Sequence, residues 1–140
     1  MVYHPVILVD SSVLVAFYDA RDDSHGQARQ FFATCRSQLI TTVACVNEVM
    51  WLLSRNWRVQ NEFLSHLASG VYECEPLLPE DFARIAQLNE QYADLPGDFA
   101  DLSLVAIAER LNIEAIATLD RDFYIYRLKR GRAFDWVFFS

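Results

Sequence analysis

The sequence predicts an α/β fold of three layers, α/β/α, with a central parallel sheet of about five strands. Two observations predict it. Short continuous apolar runs rich in Val and Ile recur along the chain, and longer segments with apolar residues at helical spacing separate them. A strand buried on both faces reads as a continuous apolar run, and strands joined through helices pair in parallel by right-handed crossovers. Length and composition agree: 140 residues, 53% hydrophobic, with four glycines and four prolines, suffice for one ordered core. We therefore expect a single domain over residues 1–140.

The elements follow in order. Residues 6–10, VILVD, read as a buried strand that ends on Asp10. A short helix is expected from Ser12 to Tyr18, then a polar loop, DARDDSHGQ, in which Ser24 can cap a helix carrying Ala28, Phe31 and Phe32. LITT (39–42) is a second strand, with Thr42 placed to cap the helix VACVNEVMWLLSR (43–55). A further helix covers 58–69, and Gly70 is placed to end it. VYECE (71–75) is a third strand. Pro79, Glu80 and Asp81 then open a helix with proline and acids where the macrodipole favours them, running to about Ala93. DLPG interrupts the pattern, and DFADLSLVAIAERL (98–111) resumes it. EAIATLD (114–120) is a fourth strand and FDWVFF (134–139) a fifth. No internal repeat, low-complexity segment or linker stands out, and YRLKRGRAF is the one basic cluster at an element boundary.

Composition excludes several classes. No apolar stretch approaches the roughly 18–20 residues that span a bilayer, and the first five residues lack the form of a secretory signal. A cytoplasmic protein without a membrane partner is expected. Cys35, Cys45 and Cys74 are odd in number and widely spaced in apolar patterns, which suits reduced core thiols and neither a disulfide framework nor a zinc site. A formal charge of −7 speaks against broad, non-specific affinity for nucleic acid.

The acids are more informative by position than by number. VILVD and IATLD each run an apolar strand into an aspartate, Asp10 and Asp120. Ligands of open parallel sheets bind outside the carboxyl ends of strands near the reversal of strand order, so neighbouring strands would bring these two carboxylates together. Glu48 shares a helix face with Cys45 and Leu52, a face that is otherwise apolar. Asp98 and Asp101 lie one turn apart at a helix start. Each acid also has a plain structural explanation: Asp10 and Asp120 as polar residues after strands, Glu48 as a solvent-directed side chain, Asp98 as an N-cap with Asp101 in the first turn, and Asp122 as a turn residue. Taken together, the carboxylates would repel one another, and a hard divalent cation such as Mg²⁺ or Mn²⁺ is what oxygen ligands of this kind neutralise. His4, His25 and His66 are too scattered to offer a softer site. No glycine-rich loop with Lys and Ser or Thr is present, so a P-loop enzyme is excluded. A phosphoacceptor signalling domain shares the fold class but calls for paired acids after strand one and a lysine directly after a late strand. Neither is found.

VDSSVLVAFYD, NEV in the helix after strand two, YADLPGDFADLSLVAIAERL and IATLDRDF occur in order from residue 6 to about 125. These blocks resemble those of the PIN domain, and specifically VapC-like toxin ribonucleases of prokaryotic toxin–antitoxin pairs. The resemblance places Asp10, Glu48, Asp101 and Asp120 in an acidic catalytic and metal site, with Asp101 and Asp120 binding metal directly or through water and Glu48 holding a coordinated water, and makes Asp98 an additional acid near the metal or a cap only. Ser12 and Thr118 match small polar residues that support the first and last acids. The implied activity is endoribonucleolytic hydrolysis of RNA phosphodiesters with Mg²⁺, or alternatively Mn²⁺, leaving 5′-phosphate and 3′-hydroxyl ends.

The implied partners are RNA, a cognate antitoxin protein and a second copy of the chain in a homodimer. Arg21, Arg29, Arg55, Arg58, Lys129, Arg130 and Arg132 are available for phosphate contacts, and each is also an ordinary solvated charge. Phe17, Tyr18, Phe31, Phe32, Trp51 and Trp57 are candidates for an interface, an antitoxin groove or the core. A catalytically silent PIN-like binding module is the alternative, and it would not need the complete set of acids.

Overall fold

The computed structural model describes residues 3–95 and 97–138. Met1 and Val2, Pro96 of the DLPG break and Phe139 of the last apolar run lie outside the described residues. Five parallel strands pair in the order β3-β2-β1-β4-β5. They are β1 (Val6–Val9), β2 (Gln38–Thr42), β3 (Glu73–Glu75), β4 (Ala115–Ala117) and β5 (Asp135–Trp136). The helices are α1 (Ser11–Tyr18), α2 (His25–Thr34), α3 (Val43–Leu52), α4 (Trp57–Ala68), α5 (Pro79–Gln91) and α6 (Phe99–Leu111). The chain builds outward from β1 through β2 to β3, then returns to place β4 on the other side of β1. The reversal of strand order thus falls between β1 and β4, where Val9 pairs with Ala117.

Both faces of the sheet are covered, as continuous apolar strands require. Leu8, Ile40 and Ile116 point to a core shared with Ile85, Leu88 and the apolar length of α6. Ile7, Val9, Leu39, Ala115 and Ala117 point the other way, to Val13, Leu14, Ala28 and Phe63 of α1, α2 and α4. The alternation along β1 is the two-residue period of a strand, with both faces buried. Helix α3 lies at the boundary, giving Cys45 to one core and Val49 to the other. Phe17, Tyr18, Phe31 and Phe32 belong to the second core, whereas Trp51 is 75% and Trp57 60% exposed. The three cysteines are free, but only Cys45 is a core thiol; Cys35 and Cys74 are half-buried, because they lie at a helix end and on the edge strand β3.

Several boundaries differ from expectation for local reasons. Helix α1 starts at Ser11, one residue early, because Asp10 is its N-cap and accepts from the Ser11 amide. Helix α3 stops at Leu52, short of Arg55, and Asn56 caps α4 by accepting from Arg58 N at 3.1 Å. Ser24 occupies the N-cap position of α2, but its side chain makes no cap bond. Gly70 does follow α4, at φ +85°, where a side chain would be strained. Strand β3 is shorter than 71–75, and β5 is reduced to two residues, although Val137 N still donates to Ile116 O at 3.0 Å. Strand β4 stops at Ala117 rather than continuing to Asp120, since the next amides are taken by hydroxyls: Leu119 N donates to Ser12 Oγ and Asp120 N to Thr118 Oγ1, both at 2.9 Å.

Two polar clusters fix α6 against the rest. At its start, Ser103 Oγ donates to Ala100 O at 2.6 Å and so accepts from Thr42 Oγ1 at 2.8 Å, tying α6 to the end of β2. At its end, Arg110 Nε donates to both oxygens of buried Asp81 at 3.1 Å, and Nη2 reaches Glu75 and the Pro76 carbonyl at 3.0 Å. Truncating one partner of such a pair leaves a buried charge uncompensated. Arg110→Ala is expected to lower unfolding free energy by about 3 kcal/mol, read from the urea midpoint, and Arg110→Lys to recover only part of it because lysine cannot replace the fork.

Candidate active site

Asp10 is 2% exposed, and every donor around it is local or one strand away. Its Oδ1 accepts from Ser11 N at 2.8 Å and Ser11 Oγ at 3.3 Å. Its Oδ2 accepts from Ser12 Oγ at 3.0 Å and Thr118 Oγ1 at 2.8 Å. Two of these hydroxyls also reach the loop after β4: Ser12 bonds both Asp10 and the Leu119 amide, and Thr118 bonds both Asp10 and the Asp120 amide. Asp10 N also donates to Ala117 O at 3.0 Å. The end of β1 and the end of β4 are thus sewn together around one buried charge.

The other acids arrive from three separate elements. Ser11 Oγ lies between Asp10 and Glu48 and shares its one proton between Asp10 Oδ1 and Glu48 Oε1, so the α3 acid is linked through a hydroxyl to the acid that follows β1. This role falls to Ser11, which the sequence did not single out; its position directly after Asp10 was the available signal. Asp98 is the N-cap of α6, its Oδ1 accepting from Ala100 N at 2.8 Å, and its carboxyl faces Glu48. Asp101, 4% exposed, comes from the first turn of α6. Asp120 caps the 3-10 turn Arg121–Tyr124 by accepting from Asp122 N at 2.9 Å. One carboxylate oxygen each of Asp101, Asp120 and Asp122 lie within 4.8 Å of one another. Asp122, expected as a turn residue, is one, and its carboxylate also joins this group.

The electrostatics follow from the crowding. Burial raises the Asp10 carboxyl above its ordinary value against the pull of its Thr118, Ser12 and Ser11 hydrogen bonds, and Asp120 raises it further. Burial, then the charges of Asp10, Asp120 and Asp98, push Asp101 up to about 9. Burial, then Asp98, push Glu48 up to about 7. Asp122 is raised by burial and by Asp120. Cys45, buried behind the site, is held as a thiol, pushed up to about 12 by burial and then by Asp10. The group is short of positive charge at neutral pH, and its donors are all hard carboxylate oxygens, which is the chemistry a divalent oxygen-seeking cation fits.

Comparison with known proteins covers the same span. Residues 7–129 match the PIN domain family model, a span that contains all six acids and their supporting hydroxyls. The chain is 26% identical over 117 residues to Ribonuclease VapC26 of Mycobacterium tuberculosis, covering 82% of this chain and 87% of that protein. It is similar in fold to the crystal structure of Mycobacterium tuberculosis VapC20, described as a Sarcin-Ricin loop cleaving toxin. That match has a TM-score of 0.76 at 22% identity, over 83% of this chain and 91% of that one. The match to the family model extends over most of the length, and the chain belongs to the PIN-domain family.

Proposed function

We propose that this chain is a metal-dependent endoribonuclease, the toxin of a toxin–antitoxin pair, that hydrolyses RNA phosphodiesters. The observation that carries the reading is the gathering of Asp101, Asp120 and Asp122 within 4.8 Å beside a buried, hydroxyl-bound Asp10 at the switch point of the sheet. The ribonuclease named among its relatives supports the choice of RNA. A phosphodiester is itself an anion, and it would not approach such a group unless the acids' charge were offset. Asp10, Asp101 and Asp120 would hold Mg²⁺ or Mn²⁺, with Asp122 and Asp98 at its margin. A bound divalent cation supplies charge neutralisation and polarisation of the phosphoryl and water oxygens.

The chain's own residues supply the rest. Glu48, with its proton affinity near neutrality and its carboxyl fixed by Ser11, is placed to take a proton from the attacking water. The water oxygen bonds to phosphorus as the bond to the 3′ oxygen breaks, the departing 3′ oxygen takes a proton from solvent water and Glu48 gives its own back to solvent, leaving 5′-phosphate and 3′-hydroxyl ends. Ser12 and Thr118 keep the Asp10 carboxylate in one orientation throughout. Among the described residues no helix is long and apolar enough to cross a membrane.

Homodimerisation is part of the proposal. An open groove of about 720 Å³ beside Glu48 and Asp98 is lined by Val43, Trp51, Leu77, Phe82 and Phe99. Val43 is 63% and Trp51 75% exposed, and Phe82 and Phe99 stack with ring centroids 6.3 Å apart. Contiguous apolar surface of this kind marks an interface, which we assign to a second copy. The antitoxin is the expected protein partner of that assembly.

Three outcomes test these assignments. Wild-type protein is expected to cut a pool of structured RNAs with Mg²⁺ or Mn²⁺ and to stop with EDTA. Asp10→Asn is expected to reduce cutting by at least about a hundredfold, while metal-independent cutting would overturn the reading. The pH dependence follows from the raised acids. Between their ordinary values and about 9 for Asp101 or about 7 for Glu48, the folded protein binds more protons than the unfolded chain. Stability in EDTA should therefore fall as pH rises through that window, most for wild type and less for Asp101→Asn. Saturating Mn²⁺ should oppose the decline, as read from urea midpoints across the window. Finally, Trp51→Glu should convert dimer to monomer by light scattering, and an unchanged mass would place the dimer elsewhere.

A further inference from the structure

Tyr126 lies four residues beyond Asp122 and takes no part in the reading above. It is 0% exposed, and its hydroxyl has no hydrogen-bond partner among the described residues. Its ring is held edge-on between Tyr92 and Phe123, with centroids at 5.1 and 5.2 Å, and its amide donates to Asp122 O at 3.0 Å. Packing therefore sets where the hydroxyl points. A Cβ on Gly97 would lie 3.3 Å from Tyr126 Oη and 3.3 Å from the Leu102 side chain. Gly97 immediately precedes Asp98, and Leu102 immediately follows Asp101, so Oη reaches the first turn of α6 that carries both acids. Glycine there leaves the hydroxyl its place. Burial, and then the charges of Asp101, Asp122, Asp120 and Asp98, hold the phenol proton above its ordinary range, so Tyr126 is within the field of all four.

We propose that Tyr126 is a positioning residue of the acidic site, its hydroxyl hydrogen-bonding to a water held there with the divalent cation. The inference rests on the metal-dependent reading of the site. An unpaired buried hydroxyl opposes folding, and such a group is retained where another state of the protein supplies its partner. A phenol both donates and accepts, Mg²⁺ keeps several of its waters, and those waters are donors that need acceptors once the carboxylates are engaged by the ion. Tyr126 is the neutral acceptor that packing fixes at that place. Outer partners of this kind set affinity as well as orientation.

The test is calorimetric titration of the full chain with Mn²⁺ alone. Tyr126→Phe is expected to weaken Mn²⁺ binding by about tenfold, with the Tm in EDTA unchanged or raised because an unpaired buried hydroxyl is gone. Tyr92→Phe is the control, since that hydroxyl already accepts from Arg127 N at 2.9 Å, and it should leave Mn²⁺ affinity unchanged. Equal Mn²⁺ affinity in wild type and Tyr126→Phe overturns the role of Tyr126 alone. Absence of Mn²⁺ binding by wild type overturns it together with the metal-dependent reading.

Discussion

The structure depends on holding one carboxylate, Asp10, inside the sheet at the point where strand order reverses. A charge buried to this degree needs its lone pairs filled, and the donors are Ser11, Ser12 and Thr118. Two of these hydroxyls also take the backbone amides of Leu119 and Asp120, so meeting the needs of Asp10 shapes the loop that carries the last acids. The shortness of β4 is a consequence: its ladder ends at Ala117 so that the next residues can turn into the site. Fold and site share the same hydrogen bonds.

That arrangement also explains why the acids sit on different elements. β1 supplies Asp10, α3 supplies Glu48, the first turn of α6 supplies Asp98 and Asp101, and the turn after β4 supplies Asp120 and Asp122. Four of them are fixed by local contacts: Asp10 and Glu48 by hydroxyls, Asp98 and Asp120 by the N-caps they make. Their mutual repulsion is resisted by anchoring at a distance, above all by the Thr42–Ser103 bond at one end of α6 and the Arg110–Asp81 pair at the other. Preorganising like charges in this way costs stability in the absence of a counterion, and it confines that cost to a face where a cation can offset it.

Much of this was legible in the sequence, and what was not legible has physical reasons. Asp10 and Asp120 announce themselves because apolar strands run straight into them, and Asp98 because a helix pattern starts beside it. The part Ser11 plays beside Ser12 was not readable, because it depends on where α1 begins, which the Asp10 cap decides. Asp122 looks like any turn aspartate until the 3-10 turn folds it back toward Asp101. Tyr126 shows in the sequence only as the first residue of the basic cluster YRLKRGRAF; tertiary packing alone shows that its hydroxyl has no partner among the described residues and lies at the start of α6. The bounds of β3 and β5 were overestimated because apolar content signals burial, whereas strand length depends on how far a neighbouring edge extends.

The acidic balance of the chain then bears on how RNA is held. Arg21, Arg84, Arg110 and Arg132 are committed to Asp19, Glu109, Asp81 with Glu75, and Glu114. Arg127 is turned onto backbone carbonyls, and Arg58 lies 4.6 Å over the Trp57 ring. Among the described residues, the cations outside salt bridges include Arg29, Arg36, Arg55, Arg121, Lys129 and Arg130; Lys129 and Arg130 share the 3-10 turn Lys129–Gly131, and the others come from separate parts of the chain. A surface of this kind cannot gain much from counterion release, so a nuclease built on it must draw affinity from the cation at the acids and from shape. Lacking a general grip on phosphate, such a chain would spare most RNA and act where a loop can present its backbone to the switch point.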